Sequence, residues 1–399
     1  MLSPPEAEAA IERRVPAAPQ ATLPLTDLSG RLLRQSIVAE RDQPPFNRVS
    51  MDGVAIASSA WDRGLREFAI VGTQAAGAPQ SCLPDPSACI EIMTGAVLPE
   101  GCDCVIPVER ITNLGERIRV AGDVVAKPWM NVHRRGSDSL AGETLLMPGC
   151  VLGPAEVAIV ASAGLATAEV TAEPRIMVIS TGDELVEPGQ PIRDWQIRRS
   201  NAYAVVAALQ RRGYLQVAHD HLPDDLEVLR NRLRAHLDTH DVLVLSGGVS
   251  MGKFDFIPQV LAELGVETVF HKVAQRPGKP MWFGVRNPGK AVYALPGNPV
   301  STLVSCIRYV IPGLAASLGM ARTAPLQVVL GSDVNVPSDL SIFMPVTLAQ
   351  DGSGRQVATP KPTRGSGDFV SLTGTDGFVE LTAGPRTAQA GTLAPFYAW

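Results

Sequence analysis

Apolar positions recur with a different period in successive stretches of the chain. Over residues 25–39, Leu25, Leu28 and Leu32 fall three and four apart, which predicts a helix that Gln43, Pro44 and Pro45 then break. Over residues 47–138 the pattern shortens to runs such as 104–108 and 117–120 set among Gly and Pro turns, the mark of a small inserted β-rich lobe. Helical spacing returns at 153–164, with Pro154 at the first helical position behind a Gly cap. Between residues 174 and 319 short apolar strands (175–180, 241–246, 291–295) alternate with longer amphipathic helices (201–212, 224–237, 299–318). That alternation predicts an α/β unit around a parallel sheet. Beyond Thr323 the segments alternate and are punctuated by Gly, as at 326–330 and 342–348, which predicts a compact all-β domain. No repeat of solenoid period is present.

Composition narrows the classes. A chain of 399 residues with 45% hydrophobic content exceeds one core, so several domains are expected. A net charge of −5 offers no global attraction to nucleic acid or anionic lipid, so an anionic ligand must be held by local groups. The six cysteines lack CxxC pairs with companion histidines, which points to reduced thiols rather than a zinc site or a disulfide framework. The first nineteen residues are rich in Ala, Pro and Glu without a basic start and apolar core, so no signal peptide is expected. The apolar stretch at 151–170 is interrupted by Pro154, Glu156 and Glu169, so no membrane span is expected either; the expected location is the cytoplasm.

Candidate chemistry sits in three loops that end predicted strands: Ser180-Thr181-Gly182-Asp183-Glu184, Ser246-Gly247-Gly248-Val249-Ser250-Met251-Gly252, and Leu295-Pro296-Gly297-Asn298-Pro299. In an open parallel sheet such loops converge on one ligand pocket. The second loop offers bare backbone N–H groups plus the hydroxyls of Ser246 and Ser250, which suit a phosphate or oxyanion, although alone it also reads as a tight turn. Its glycine spacing matches neither the dinucleotide fingerprint nor the Walker pattern. Asp183, Glu184 and Asp255 would set carboxylates beside that phosphate, an arrangement suited to Mg²⁺; for Asp224 and Asp225, helix capping is an equal reading. Lys272, Arg276 and Lys279, in a segment shaped by Pro277, Gly278 and Pro280, are fixed cations suited to pyrophosphate or an oxyanion such as molybdate. In the lobe, Met51-Asp52-Gly53, Met93-Thr94-Gly95 and Arg134-Arg135-Gly136-Ser137-Asp138 are polar clusters beside glycines, each also readable as a β-turn. His219, His221, His236 and His240 lack metal-ligand spacing, and the nucleophile elbow of serine hydrolases is missing.

Taken in order, Ser50-Met51-Asp52-Gly53, Met93-Thr94-Gly95, Arg134-Arg135-Gly136, Ser180-Thr181-Gly182-Asp183-Glu184-Leu185, Ser246-Gly247-Gly248-Val249-Ser250, Arg276-Pro277-Gly278-Lys279-Pro280 and Leu295-Pro296-Gly297-Asn298-Pro299-Val300-Ser301 resemble the bacterial molybdopterin molybdenumtransferase family. Its eukaryotic relatives include the E domains of gephyrin and of the plant cofactor-assembly protein. The resemblance implies a multidomain α/β plus β subunit: a discontinuous helical segment (1–48 and 139–173), a β-rich lobe (49–138), an α/β molybdopterin-binding domain (174–322) and a C-terminal β-barrel (323–399). It implies a homodimer in which the lobe of one subunit reaches the α/β domain of the other. It implies functional roles for Asp52, Thr94, Asp138, Glu184, Asp224, Asp255, Lys272 and Arg276, with Mg²⁺ near Glu184 and Asp255. Substrate contacts would come from Arg134, Arg135, Ser180, Thr181, Gly182, Asp183, Asn201, Ser246, Gly247, Gly248, Val249, Ser250, Lys279, Pro296, Gly297, Asn298, Pro299 and Ser301. The chain departs from the family where it has Val54 for a common Tyr, Arg276 for a common Lys, and Arg199 for a common Asp or Asn.

The implied reaction places molybdenum from molybdate on adenylylated molybdopterin with release of AMP. Other cofactor-assembly enzymes and apo-molybdoenzymes would be transient partners. Two alternatives stay open on sequence: the adenylyltransferase of the preceding step, which shares the α/β domain but needs neither the split N-terminal region nor the C-terminal domain, and a non-catalytic scaffold like the gephyrin E domain.

Overall fold

A computed structural model describes residues 1–248, 256–337, 339–384 and 386–399, and they form two compact units. One unit comprises residues 1–21, 30–32 and 170–399; the other comprises 22–29 and 33–169.

At the centre of the first unit is a six-stranded sheet of β1 (Ile176–Thr181), β2 (Val217–Leu222), β3 (Val242–Ser246), β4 (Glu267–His271), β5 (Trp282–Arg286) and β6 (Lys290–Leu295), in the order β2-β1-β3-β6-β5-β4. The first four in that order run parallel, and β5 and β4 form an antiparallel edge. Alternate side chains leave the sheet on opposite faces, and both faces are covered. Ile176, Val178, Val242 and Val244 join one apolar cluster, while Met177, Ile179, Leu243 and Leu245 join another. The first cluster contains residues of α1 (Asn201–Gln210) and of α4 (Pro299–Ser305), which continues through a π-helical turn, Cys306–Val310, into Ile311–Ser317. The second contains residues of α2 (Leu226–Thr239) and α3 (Ile257–Glu263). The span Pro299–Ser317 is long and apolar enough to cross a membrane, but 72% of its most apolar window is buried in this core.

The chain then forms a barrel of Leu326–Leu330, Ser341–Gln350, Gln356–Pro360, Gly377–Leu381 and Leu393–Ala398, closed by pairing of the second of these strands with the fourth. Arg308, in the π-helical turn and 2% exposed, joins three parts of this unit. Its Nε donates to Glu380 of the barrel at 2.8 Å, and a terminal nitrogen lies 2.9 Å from Glu8 on the helix Pro4–Arg14. Tyr397 also donates its hydroxyl to Glu380, at 3.2 Å.

The second unit contains a six-stranded sheet whose strands include Gly53–Ile56, Glu67–Gln74, Ala88–Ile92 and Cys104–Pro107, with apolar clusters on both faces. Its helix Pro154–Ser162 starts as predicted, with Pro154 at the first position and Glu156 accepting the Gly153 N–H at 2.9 Å. The predicted helix at 25–39 does not form. Only Leu25–Asp27 makes a 3-10 turn, Gly30 turns the chain at φ +77°, and Ile37–Val38 is a strand. The backbone donors go to distant carbonyls instead, Leu33 to Cys150, Arg34 to Glu169 and Ala39 to Glu143, so sheet-like pairing outcompetes the i→i−4 ladder that the leucine spacing suggests. The helix predicted at 224–237 begins two residues later, at Leu226.

Candidate active site

Strand register brings the three small-residue loops together. Ser180 at the end of β1 pairs with Ser246 at the end of β3, which pairs with Leu295 at the end of β6. From β1 the chain passes by way of α1 to β2 on one side, whereas β3 leads to strands on the other, so β1 and β3 flank the switch point where ligands of such sheets bind. A cavity of 770 Å³ opens there.

Its floor is Ser180, Thr181, Gly182, Ser246, Gly247 and Gly248; Pro296, Gly297, Asn298 and Pro299 line it from the third loop. Gly247 has φ +100°, and a Cβ added there would lie 2.8 Å from the carbonyl oxygen of Thr181, so only glycine fits this approach. Asn201 opens α1 and donates to Ser246 Oγ at 2.9 Å and to the Gly297 carbonyl at 2.7 Å, tying the second loop to the third. Thr302, one turn into α4, donates to the Pro296 carbonyl at 2.6 Å and buttresses the third loop from beneath. The cavity thus faces the N-terminal end of α1, where N–H groups without an intrahelical partner favour anions, and the start of α4, where Pro299 has no N–H and the Val300 N–H is taken by the Ser366 carbonyl at 2.9 Å. Ser180 Oγ, Thr181 Oγ1 and Asn201 Oδ1 are buried with no hydrogen-bond partner among the described residues, an uncommon cost unless a polar ligand satisfies them.

Among the described residues, two acids line the cavity, Glu184 and Asp224. The Glu184 carboxylate lies against the Gly182 backbone, 2.5 Å from where a Cβ would stand. Asp183 is exposed and accepts the Asp224 N–H at 3.1 Å. Neighbouring acids divide the work at the start of α2: the Asp225 carboxylate accepts the N–H groups of Glu227 (3.0 Å) and Val228 (2.9 Å), whereas Asp224 lines the cavity. Asp225→Ala should therefore lower stability by about 1 kcal/mol without changing ligand affinity, whereas Asp224→Ala should change ligand affinity. Urea unfolding and calorimetric titration with AMP, run on both variants, check this separation.

Other sequence candidates lie elsewhere. Gln275 and Arg276 pair in parallel with Ser341 and Ile342, so this part of the basic segment is an added strand on the barrel. Arg276 and Lys279 are exposed, Lys272 is half-buried at φ +76°, and of the 272–280 segment Pro280 is the residue that lines the cavity. Ser301 is buried in the first turn of α4 outside the lining. Val249, Ser250 and Asp255 lie outside the described residues. Sequence reasoning quoted Leu185 only within a motif and did not single out Ile197, Arg198, Ser200 or Gly367 in the lining, nor Arg199 as more than a departure. Leu185–Val186 pairs in parallel with Ile197–Arg198 to make a small flap, a pairing too short to leave a periodic signal.

In the second unit, strand pairing gathers the lobe's polar clusters. Gly53 pairs with Ile92, Val49 pairs with Val132, and Gly95 donates its N–H to the Val49 carbonyl at 2.8 Å. Asp52 accepts the Thr94 N–H at 2.6 Å, and that bond holds its carboxyl below the usual carboxylate range. Asp138 bonds His133 Nε2 at 2.7 Å, and His133 Nδ1 in turn lies 3.2 Å from Arg48. Arg135 is tied to Asp42 at 2.7 Å, while Arg134 stacks 4.8 Å above the Trp129 ring. All of these polar side chains except Asp42 are exposed or half-exposed.

Comparison with known proteins covers the same elements. Residues 2–164 match the family described as MoeA N-terminal region (domain I and II), residues 177–316 a probable molybdopterin binding domain, and residues 327–399 the MoeA C-terminal region (domain IV). The chain is 42% identical to a molybdopterin molybdenumtransferase of Synechocystis sp., with 100% of both chains covered. It is 34% identical to one of Synechococcus elongatus, covering 93% of this chain and 92% of the other. Among solved structures, a molybdopterin biosynthesis MoeA protein from Pyrococcus horikoshii superposes with a TM-score of 0.83 at 28% identity, covering 100% of this chain and 99% of that one. With a relative above two-fifths identity along its full length and three successive family regions in order, the chain belongs to the MoeA family of molybdopterin molybdenumtransferases.

Proposed function

We propose that the chain transfers molybdenum from molybdate to adenylylated molybdopterin and releases AMP, in the cytoplasm and as a homodimer. The observation that carries the proposal is the switch-point cavity, where unpartnered Ser180, Thr181 and Asn201 atoms and the bare Gly247–Gly248 backbone await a polar, phosphate-bearing ligand. In this reading the loop N–H groups and the N-terminal end of α1 hold the phosphates, and Pro296, Gly297, Asn298 and Pro299 wall the pterin side.

Among the described residues no group of three or more His, Cys, Asp and Glu forms a closed metal cage. The cavity nevertheless suits Mg²⁺, which needs only one or two protein carboxylates when phosphates and waters complete its shell. Glu184 and Asp255 would hold it, with Asp224 on the same cavity. Bound there, it would offset pyrophosphate charge. Asp183 positions Asp224 through its N–H, and Lys272, Arg276 and Lys279, which lie outside the cavity lining, would meet the molybdate oxyanion only beyond that lining. Catalysis is then positioning and electrostatics, with no protein nucleophile.

The domain plan proposed for this function is 1–48 with 139–173, 49–138, 174–322 and 323–399. Asp52, Thr94, Asp138, Arg134 and Arg135 complete the cavity of the partner subunit, a role consistent with their exposure on the lobe. Other cofactor-assembly enzymes and apo-molybdoenzymes are transient partners. Subunit mixing tests both parts of the proposal. Asp52→Ala and Glu184→Ala should each abolish molybdate-dependent AMP release, while exchange of the two inactive proteins should restore about a quarter of the wild-type rate, one intact site in each mixed dimer. No recovery after exchange would place both residues in one subunit's site and sink the shared arrangement.

A further inference from the structure

Among the described residues lining the cavity, the positive charges belong to Arg198 and Arg199. Arg198 uses its guanidinium on the carbonyl oxygens of Glu187 (3.0 Å) and Gln190 (2.6 Å), which stitches the flap to itself. Arg199 is different. It is 8% exposed and forms an ion pair with the Glu187 carboxylate, which also accepts the Tyr203 hydroxyl. One terminal nitrogen lies 3.4 Å from His219 Nδ1, and Nε has no partner among the described residues.

The two halves of the ion pair differ in their alternatives. A buried guanidinium needs a facing anion, because removing that anion leaves an uncompensated charge. The Glu187 side chain is 41% exposed, so water can replace Arg199 as its partner. A guanidinium fork matches phosphate as well as carboxylate, and Arg199 adjoins Ser200 and Asn201 at the start of α1 on the cavity wall.

We propose that Arg199 is a phosphate-binding residue of this cavity and that Glu187 is its internal placeholder: a phosphate ester takes the guanidinium, and the Glu187 carboxylate turns to solvent. The inference rests on the proposed function in that the ligand is a phosphate ester. It predicts opposite signs for the two partners. Arg199→Met should weaken binding about tenfold to a hundredfold, the worth of a charge-assisted bond, while Glu187→Gln should tighten it by removing a competitor.

The test is calorimetric titration of the full-length chain with AMP, with adenosine as the uncharged control and a thermal melt of each variant. Opposite shifts for AMP and none for adenosine are the expected result, with Arg199→Lys folding normally and binding between wild type and Arg199→Met. A purely structural pair would lower both melting temperatures and move AMP affinity in one direction or not at all, which overturns the inference alone. Wild-type protein that binds neither AMP nor inorganic pyrophosphate would overturn the proposed function along with it.

Discussion

Arg308→Ala should cost the unit that contains it about 3–5 kcal/mol, the usual loss when one partner of a buried ion pair is removed. Glu8 and Glu380 are each 8% exposed at their side chains and would remain as two buried carboxylates without their shared cation. Arg322 lies 2.8 Å from Glu8 but is 58% exposed, so it is a weak substitute, and Arg322→Ala should cost about 0–1 kcal/mol. Since Arg308 lies in the π-helical turn that continues α4, its loss also loosens the helix whose other end supports the third cavity loop. Urea unfolding of both variants checks the contrast; a cost below about 1 kcal/mol for Arg308→Ala would mean that the two acids find protons or water instead.

Gly247→Ala should reduce AMP release about a hundredfold while leaving the fold in place, because misplacing a binding loop by an ångström costs that much. The added Cβ would meet the Thr181 carbonyl oxygen at 2.8 Å and the Thr181 hydroxyl at 2.9 Å, from a backbone at φ +100° that side chains rarely adopt. Both contacts belong to the neighbouring loop of the cavity floor, so relief of one loop displaces the other. Gly352→Ala is the control, since a Cβ there meets nothing within 4 Å. Steady-state rates and circular dichroism of the two variants check the prediction. An active Gly247→Ala enzyme would show that the floor of the cavity adjusts freely.

Much of this was legible in the sequence where one local rule sufficed. Apolar runs ending in small residues marked β1, β3 and β6, and the placement of ligands at strand ends then brought Ser180, Ser246 and Gly297 to one pocket. Pro154 behind Gly153 marked a helix start correctly. Ser3-Pro4-Pro5-Glu6 carries the same start signal for the helix Pro4–Arg14, whose Ser3 N–H is accepted by Glu6 at 2.8 Å, although an Ala-, Pro- and Glu-rich composition masks it.

Long-range pairing was not legible. Nothing near Gln275 and Arg276 signals that Ser341 and Ile342 will take them as a neighbouring strand, so their position between the second and third loops suggested the cavity wall. Leucine spacing at 25–39 was equally ambiguous, since Leu28, Leu32, Leu33 and Ile37 are all buried without forming a helix. Arg199 reached the wall through the two-residue pairing of Leu185–Val186 with Ile197–Arg198, below the length at which periodicity says anything. The roles of Asp224 and Asp225 were separable only by the hydrogen bonds of the cap.

The most direct measurement is AMP release by the purified full-length chain supplied with adenylylated molybdopterin and Mg²⁺, with and without molybdate. AMP release that depends on molybdate and disappears in Glu184→Ala is the result the account predicts. Release at the same rate without molybdate, or in Glu184→Ala, would contradict it.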